Sequence, residues 1–131
     1  MSKYKLYLEG KFDKLFKPAK ETDVPENWTK NADGTYDVNS NIDFADMELT
    51  KIPHKFNKVT GDFLCDDNKL TSLEGCPKEV GGNFLCYYNN LTSLEDGPKE
   101  VGGDFWCSDN KKKFTKDEVK AICKVKGDVY V

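Results

Sequence analysis

The chain has 131 residues, which is the size of a single domain. Its 20 lysine and arginine residues and 23 aspartate and glutamate residues give a formal net charge of −3, which disfavours a nucleic-acid-binding protein because phosphates require a positive face. With 37% hydrophobic and 12% aromatic residues, the chain holds too much apolar material to be a disordered polymer.

Residues 1–38 are predicted to form an N-terminal cap that contains both helix and strand. The spacing of apolar side chains predicts a strand over residues 4–8 and one helical turn over residues 12–16. Residues 28–30 and 35–38 flank a polar segment of four residues that contains glycine, which predicts a β-hairpin.

The sequence carries no pattern that predicts export or membrane insertion. Residues 1–5 are charged, and no apolar stretch follows them, so they do not resemble a secretory signal. The longest apolar run is residues 84–88, which is far shorter than the ~20 residues that cross a bilayer. A cytoplasmic location is therefore predicted, in which the five cysteines are free thiols.

A repeat of 21 residues dominates the sequence after the cap. Residues 61–81 read GDFLCDDNKLTSLEGCPKEVG, residues 82–102 read GNFLCYYNNLTSLEDGPKEVG, and residues 103–110 begin a further copy, GDFWCSDN. Residues 42–59 are a fainter copy that matches at the apolar positions, and residues 127–131 are a truncated copy that follows a short insertion. We therefore predict a solenoid over residues 39–131.

Each unit contains the pattern Phe-x-Cys-x-x-Asn-x-Leu-x-x-Leu, which resembles the leucine-rich repeat. That family has the core Leu-x-Leu-x-x-Asn-x-Leu followed by a return stretch, and its short bacterial type has units of similar length. The resemblance covers roughly residues 38–131 and implies a β-rich solenoid with a parallel sheet on one, concave face. Phe and Cys replace two of the leucines, and the glycine-rich bend into each strand is one residue longer than is common. The style of the unit is also similar to that of small repeat proteins encoded by bacteriophages.

Alternation along each strand predicts which side chains face the core. Phenylalanine and cysteine side chains stack on their counterparts in the next unit, and asparagine amides bond backbone groups where the strand ends. The predicted inward ladders are Phe63, Phe84 and Phe105; Cys65, Cys86 and Cys107; Asn68, Asn89 and Asn110; and, in the return stretch, Val59, Val80, Val101 and Ile122. Cys76 lies outside these ladders and is predicted to be a more exposed thiol on a loop.

The C-terminal end of the solenoid is predicted to be covered by a short helix. Thr115 and Glu118 have the spacing of a capping box, in which the two side chains cap each other's backbone N–H groups. The helix is predicted over residues 116–123, with Val119 and Ile122 buried, and a closing strand follows it.

Side chains that alternate outward lie on the sheet face, the usual binding surface of a solenoid. One outward row is an apolar stripe, with two tyrosines beside it and aspartates around it. Apolar and aromatic anchors within a charged rim are typical of a protein-binding patch, and aspartates favour a partner with a basic patch. The predicted protein-binding residues are Leu64, Leu85, Trp106, Tyr130, Tyr87, Tyr88, Asp66, Asp67 and Asp109.

Other interpretations of the same residues stay open. The stripe could simply pair across strands, or a folded-over N-terminal segment could cover it. Asp66 and Asp67 could hold a divalent cation, but no glycine-interrupted calcium loop accompanies them, so a solvated acidic face is favoured. The cysteine ladder has none of the short Cys-x-x-Cys spacing of zinc sites, so it is predicted to be dry core.

Catalysis is disfavoured. The single histidine, His54, is predicted to lie on the surface, and it argues against a Ser-His or Cys-His triad and against a multi-histidine metal site. The sequence also lacks a glycine-rich phosphate loop, and no carboxylate pair is singled out by its spacing. No catalytic residue, metal or cofactor is predicted.

The predicted function is a small cytosolic binding module that captures another protein on its concave sheet face. The phage resemblance implies a sharper form, an inhibitor of a host enzyme or of an antiviral defence protein in the host cytoplasm. The alternative is a structural solenoid that associates with itself through the edge of the closing strand and has no separate ligand. Neither a nucleic acid nor a membrane is expected as a partner, and the chain is predicted to be a monomer or a weak homo-oligomer.

Overall fold

Short strands recur every 21 residues and pair in parallel with their counterparts one repeat later, so the chain coils into a β-solenoid. A computed structural model describes residues 24–131. We call one turn of the solenoid a rung. The elements are β1 (Trp28–Lys30), β2 (Tyr36–Val38), β3 (Ile42–Asp43), β4 (Phe56–Val59), β5 (Phe63–Leu64), β6 (Glu79–Val80), β7 (Phe84–Leu85), β8 (Glu100–Val101), β9 (Phe105–Trp106), α1 (Lys116–Ile122), β10 (Lys124–Val125) and β11 (Val129–Tyr130).

The first strand of each rung belongs to a five-stranded parallel sheet with the order β3-β5-β7-β9-β11. In this sheet Phe63 pairs with Phe84, which pairs with Phe105, so identical repeat positions lie side by side. Ile42 pairs with Phe63 at one end and Val129 pairs with Phe105 at the other. The predicted fold class is confirmed, including the faint first copy and the closing strand.

The return stretches form a second sheet, which the sequence analysis described only as a ladder of side chains. Its order is β1-β2-β4-β6-β8-β10, and every pair is parallel except the β1–β2 hairpin, which confirms the predicted hairpin. The core of the solenoid therefore lies between two sheets.

The prediction that Ile122 completes the return ladder is wrong. Val125 pairs with Val101 instead, and Ile122 lies in α1 with 38% of its surface exposed. The inserted residues lengthen the segment that forms the helix, so the ladder resumes after the helix and not within it. The prediction of a more exposed Cys76 is also wrong, because this side chain is buried in the core.

Phenylalanine and cysteine ladders fill the space under the five-stranded sheet, as predicted. Phe63, Phe84 and Phe105 are fully buried, and their ring centroids lie 6.0 and 5.1 Å apart. Burying one such side chain stabilises the fold by about 2–3 kcal/mol. The small cysteines beside them are buried as well, so large and small side chains lie next to each other under the sheet.

Asparagine side chains hold each rung to the one before it, as the sequence predicted. The Asn89 amide donates hydrogen bonds to the carbonyls of Cys65 and Cys86 at 3.0 and 3.1 Å. Its oxygen accepts the Leu70 N–H at 2.9 Å. Asn68 and Asn110 make the corresponding contacts in their own rungs. These bonds satisfy backbone groups that the bend would otherwise leave unpaired.

Glycine is required where two rungs come closest. A Cβ at Gly102 would lie 2.3 Å from the Gly81 carbonyl oxygen, and a Cβ at Gly82 would lie 2.2 Å from Asp62 Oδ1. Because the first of these neighbours is backbone, it cannot move aside without breaking the ladder between the rungs. The Gly-Gly pairs therefore permit the close approach of successive rungs at this bend.

The C-terminal helix forms where the capping box predicted it. Thr115 Oγ accepts the Glu118 N–H at 3.1 Å, and Glu118 Oε1 accepts the Thr115 N–H at 3.2 Å. Val119 is fully buried against the last rung. At the other end, the strand and helical turn predicted within residues 1–23 lie outside the described residues.

Candidate functional site

The outer side of the five-stranded sheet, which we call the sheet face, carries the predicted apolar stripe. Leu64, Leu85 and Trp106 are paired across β5, β7 and β9, and Tyr130 pairs with Trp106 across β9 and β11. Their side chains point away from the phenylalanine ladder because side chains alternate along a strand. The structure therefore brings the four predicted residues into one continuous row.

Aromatic rings are concentrated at one end of this row. Four of them form the aromatic cluster: Tyr87, Tyr88, Trp106 and Tyr130. The centroid distances are 5.6 Å between Tyr88 and Tyr87, 5.5 Å between Tyr87 and Trp106, and 4.5 Å between Trp106 and Tyr130. Tyr88 is 55% exposed and Tyr130 is 40% exposed. The cluster is thus a contiguous surface of packed rings that remains open to solvent.

Tyr88 lies in an unusual backbone conformation. Its φ angle is 51°, and the residues at the same position of the other rungs, Asp46, Asp67 and Asp109, have φ angles of 54°, 54° and 55°. This left-handed conformation is tolerated by Asp and Asn but is uncommon for bulky residues. The three other rungs all have an aspartate at this corner, so the tyrosine is the exception.

Asp66 differs from the exposed rim residue that the sequence analysis predicted. Only 6% of its surface is exposed, and its Oδ1 atom is buried without a hydrogen-bond partner. Burial raises the pKa of the Asp66 carboxyl above its usual range, and the charges of Asp67 and Asp43 raise it further. The nearby Tyr87 hydroxyl acts in the opposite direction and lowers the pKa of this carboxyl.

Charge on the sheet face has a single sign. The segments that form the face are residues 41–46, 62–67, 83–88, 104–109 and 128–131, and they contain no lysine, arginine or histidine. Their charged residues are Asp43, Asp46, Asp62, Asp66, Asp67, Asp104, Asp109 and Asp128. The first two rungs of the face hold five of these aspartates and no outward aromatic ring, whereas the later rungs hold the four rings of the aromatic cluster and the other three aspartates.

One row of polar residues on this face has a structural role that the sequence analysis missed. The side-chain oxygens of Asn41, Asp62, Asn83 and Asp104 accept the backbone N–H of the next rung at 2.7–2.9 Å. The available signal was an Asn or Asp at the second position of every repeat unit, 21 residues apart. These residues stabilise the stack, so they are not free for a ligand.

The outer side of the six-stranded sheet is chemically different. A shallow groove of about 400 Å³ runs over Gly81 and Gly102, and its lining contains charged residues of both signs. Lys58 and Glu79 lie 3.8 Å apart there, and both are more than half exposed. A solvated ion pair of this kind contributes little and specifies no ligand. The groove also has no aromatic side chain in its lining.

The buried thiols are poorly suited to nucleophilic chemistry. Burial raises the pKa of Cys107 to about 12 and that of Cys123 to about 11, and it raises the pKa of Cys86 well above the usual range. A thiol at such a pKa is protonated at neutral pH and is a weak nucleophile. His54, predicted to be a surface residue, is half-buried with its ring 5.4 Å from that of Trp28.

Among the residues that the structure describes, no group of three or more His, Cys, Asp or Glu side chains is arranged to bind a metal ion. Within the same residues, no helix has the length and apolarity to cross a bilayer. No protein-family model, curated protein or solved structure matches this chain. A functional proposal therefore has to stand on the sheet face itself.

Proposed function

We propose that this chain is a protein-binding module that captures another protein with the sheet face. The observation that carries the proposal is the aromatic cluster, a run of contacting rings held open to solvent and bordered by aspartates. Aromatic residues surrounded by a polar rim are enriched at the energetic centres of protein interfaces. The face of a solenoid sheet is a common place for such anchors.

Cross-strand packing alone does not account for Tyr88. A side chain that served packing would gain burial, yet this one is 55% exposed and sits at a φ angle of 51°. Strained residues of this kind persist at binding sites, where the strain is offset by function. The aspartates in the other rungs show that the corner itself does not need an aromatic ring.

Charge complementarity defines the kind of partner. All charged residues in the segments of the sheet face are aspartates. The face therefore favours a protein with lysine or arginine at the contact and repels phosphate groups. Long-range attraction of this kind also speeds the encounter between partners.

The resemblance to leucine-rich repeats and the phage-like style of the unit extend this proposal. In the extended form, the protein is a bacteriophage-encoded inhibitor that acts in the host cytoplasm. It would cover a basic surface of a host enzyme or of an antiviral defence protein and so block it. The support for this form is the similarity of the repeat unit together with the small, rigid, acidic face.

Self-association is a second candidate, and one observation favours it. Strand β11 pairs with β9 on one side, and no strand among the described residues pairs with its other edge. An unpaired edge can recruit a strand from another copy. A molecular mass that rises with concentration would support this candidate, and a mass that stays monomeric would count against it.

The binding proposal is tested with variants taken from the repeat itself. Tagged wild-type protein and a face variant that combines Tyr87→Ser, Tyr88→Asn and Trp106→Leu are used to capture proteins from a bacterial lysate. Ser and Leu already occupy those rows in other rungs, at Ser108 and Leu85, so the fold is expected to persist.

The matched control is Glu100→Lys, which introduces on the opposite sheet the residue found one rung later at Lys124. We expect one abundant protein to be captured by wild type and by the control but not by the face variant. Equal capture by all three proteins would contradict the proposal.

A further inference from the structure

Asp66 lies where the acidic rungs of the sheet face meet the aromatic cluster. Its neighbours in the same row are Ala45 one rung earlier and Tyr87 one rung later. It is 94% buried by surface area, since only 6% remains exposed, and its Oδ1 atom has no hydrogen-bond partner. A buried polar atom left unpaired destabilises the folded state, and it does so more strongly when it carries charge.

The fold does not require a carboxylate at this position. The other rungs place Ala45, Tyr87 and Ser108 in the row, and the same sheet forms around all of them. Buried polar groups that remain unpaired in a native protein call for an explanation other than packing. The unpaired oxygen therefore points to a group that is supplied from outside the chain.

The surroundings of Asp66 select a cation. Asp43 on β3 and the adjacent Asp67 act on it with negative charge, and the Tyr87 side chain lies one rung later in the same row. No positively charged side chain lies in the segments of the face. The described residues also lack a set of ligands for a metal ion, so the geometry favours an organic cation that brings its own donors.

We infer that Asp66 receives a guanidinium group of the protein partner, which pairs with Oδ1 and packs against the Tyr87 ring. This inference rests on the proposed function and names the chemistry of the partner at one position. A guanidinium presents five donors in a plane, so it can bond Asp66 and the neighbouring aspartates together while it stacks on an aromatic face. Tyr87 is half-buried and lies beside Asp66 in the same row, so it is the side chain that we expect to rotate to admit the cation.

The experiment uses a capped Arg-Gly-Arg peptide as the probe and the full chain as the receptor. The carboxyl carbon of Asp66 and the backbone amides of Asp67 and Tyr87 are followed by nuclear magnetic resonance. Two control peptides are titrated in parallel. Capped Lys-Gly-Lys keeps the positive charge but lacks the planar guanidinium, and capped citrulline-Gly-citrulline keeps a planar group but lacks the charge.

Two variants of the chain separate the site from the general charge of the face. Asp66→Ser installs the residue of Ser108, and Asp62→Asn removes one charge from the same rung while keeping the oxygen that accepts the Asn83 N–H. Asn41 and Asn83 already make that bond with an amide oxygen, so Asp62→Asn is the matched control.

We expect a saturable shift at Asp66 with the arginine peptide, a weaker one with the lysine peptide and none with the citrulline peptide. Affinity for the arginine peptide should fall roughly tenfold to a hundredfold in Asp66→Ser, which is the range for a charge-assisted hydrogen bond. In Asp62→Asn it should change by less than about threefold, because the charge of Asp62 is only partly buried and the variant keeps the hydrogen bond to Asn83.

Absence of a saturable shift, or equal binding by wild type and Asp66→Ser, would overturn the inference. The failure of the inference is distinguishable from that of the proposed function. A captured protein that is lost in the face variant but kept in Asp66→Ser would leave the binding proposal intact and remove the guanidinium site. Loss in neither variant would remove both.

Discussion

Corresponding positions in successive rungs hold different residues on the sheet face, and these differences separate the needs of the fold from other needs. The left-handed corner is aspartate in three rungs and Tyr88 in one. In the row that begins with Ala45, successive rungs have an alanine, an aspartate, a tyrosine and a serine. At both places one rung carries a residue that is worse for stability than its counterparts. These two residues, Tyr88 and Asp66, are therefore where stability and function should be separable.

Replacing Tyr88 by asparagine should stabilise the protein. Asparagine is among the residues best tolerated at a φ angle of 51°, and it adds no charge between Asp67 and Asp109. We expect the free energy of unfolding to rise by up to about 1 kcal/mol, a fraction of the left-handed penalty. Urea denaturation of both proteins measures the difference. A loss of stability instead would show that the ring contributes packing that outweighs its strain.

Replacing Asp66 by serine should change how stability depends on pH. The folded-state pKa of Asp66 is raised, so the folded chain holds this proton more tightly than the unfolded chain. Wild-type protein therefore loses stability as pH rises from the ordinary aspartate value, 3.8, through the raised value, and the variant lacks that loss. At neutral pH the variant should be more stable by about 1 kcal/mol, the lower end of the cost of an unpaired buried group.

Denaturation curves taken at neutral pH and at a pH below 3.8 provide the check, with Asp62→Asn as the control that keeps its hydrogen bond. The advantage of Asp66→Ser should shrink at the lower pH. An advantage that is the same at both values would mean that the charge of Asp66 does not matter to folding.

Among the elements, most strands of the solenoid are only two residues long, although backbone hydrogen bonds between rungs continue past them. The asparagine ladder adds buried side-chain bonds between rungs at the corner. Asn89 is nearly fully buried and bonds backbone groups on both its own rung and the previous one. Loss of one such residue should loosen two rungs together.

Asn89→Ala should destabilise the protein by about 3 kcal/mol or more, because the Leu70 N–H and the bonded carbonyls would lose their partner in the core. The neighbour Asn90 provides the control, since the corresponding residues of adjacent rungs are Lys69 and Lys111. Asn90→Lys should change stability by no more than about 0.5 kcal/mol. Thermal and urea denaturation measure both, and similar losses in the two variants would contradict the proposed role of the ladder.

The repeat made most of this architecture predictable, because a position that recurs every 21 residues must have the same environment in each rung. Alternation then assigned the phenylalanine, cysteine and asparagine ladders correctly. It failed at Ile122, because the sequence does not show whether the inserted residues come before or after the position that pairs with Val101. In the structure they come before it, so Val125 takes that position. It also failed at Asp66, whose burial depends on its particular neighbours in adjacent rungs and not on strand alternation.

Over the whole molecule, charge is distributed unevenly. The formal net charge is only −3, yet the segments of the sheet face contain aspartates and no lysine, while Lys58 and Lys124 lie on the opposite sheet. A basic partner would therefore be attracted to one side of the solenoid and oriented before contact.

This asymmetry predicts the salt dependence of binding. The association rate with the captured partner should fall as ionic strength rises, because salt screens exposed charges over about 10 Å at 0.1 M. The dissociation rate should change much less, since it depends on the packed aromatic contacts. Surface plasmon resonance at several salt concentrations measures both rates. An association rate that does not respond to salt would argue against electrostatic attraction by the sheet face.

The most direct test of the account is the dissociation constant, measured by titration calorimetry, between the captured partner and three forms of this chain. The forms are wild type, the face variant with Tyr87→Ser, Tyr88→Asn and Trp106→Leu, and the Glu100→Lys control on the opposite sheet. We predict that Kd rises by about 30-fold or more in the face variant, as for the loss of an interface hot spot, while the control binds as wild type does and all three unfold at similar temperatures. An unchanged Kd in a folded face variant would contradict the assignment of the sheet face as the binding surface.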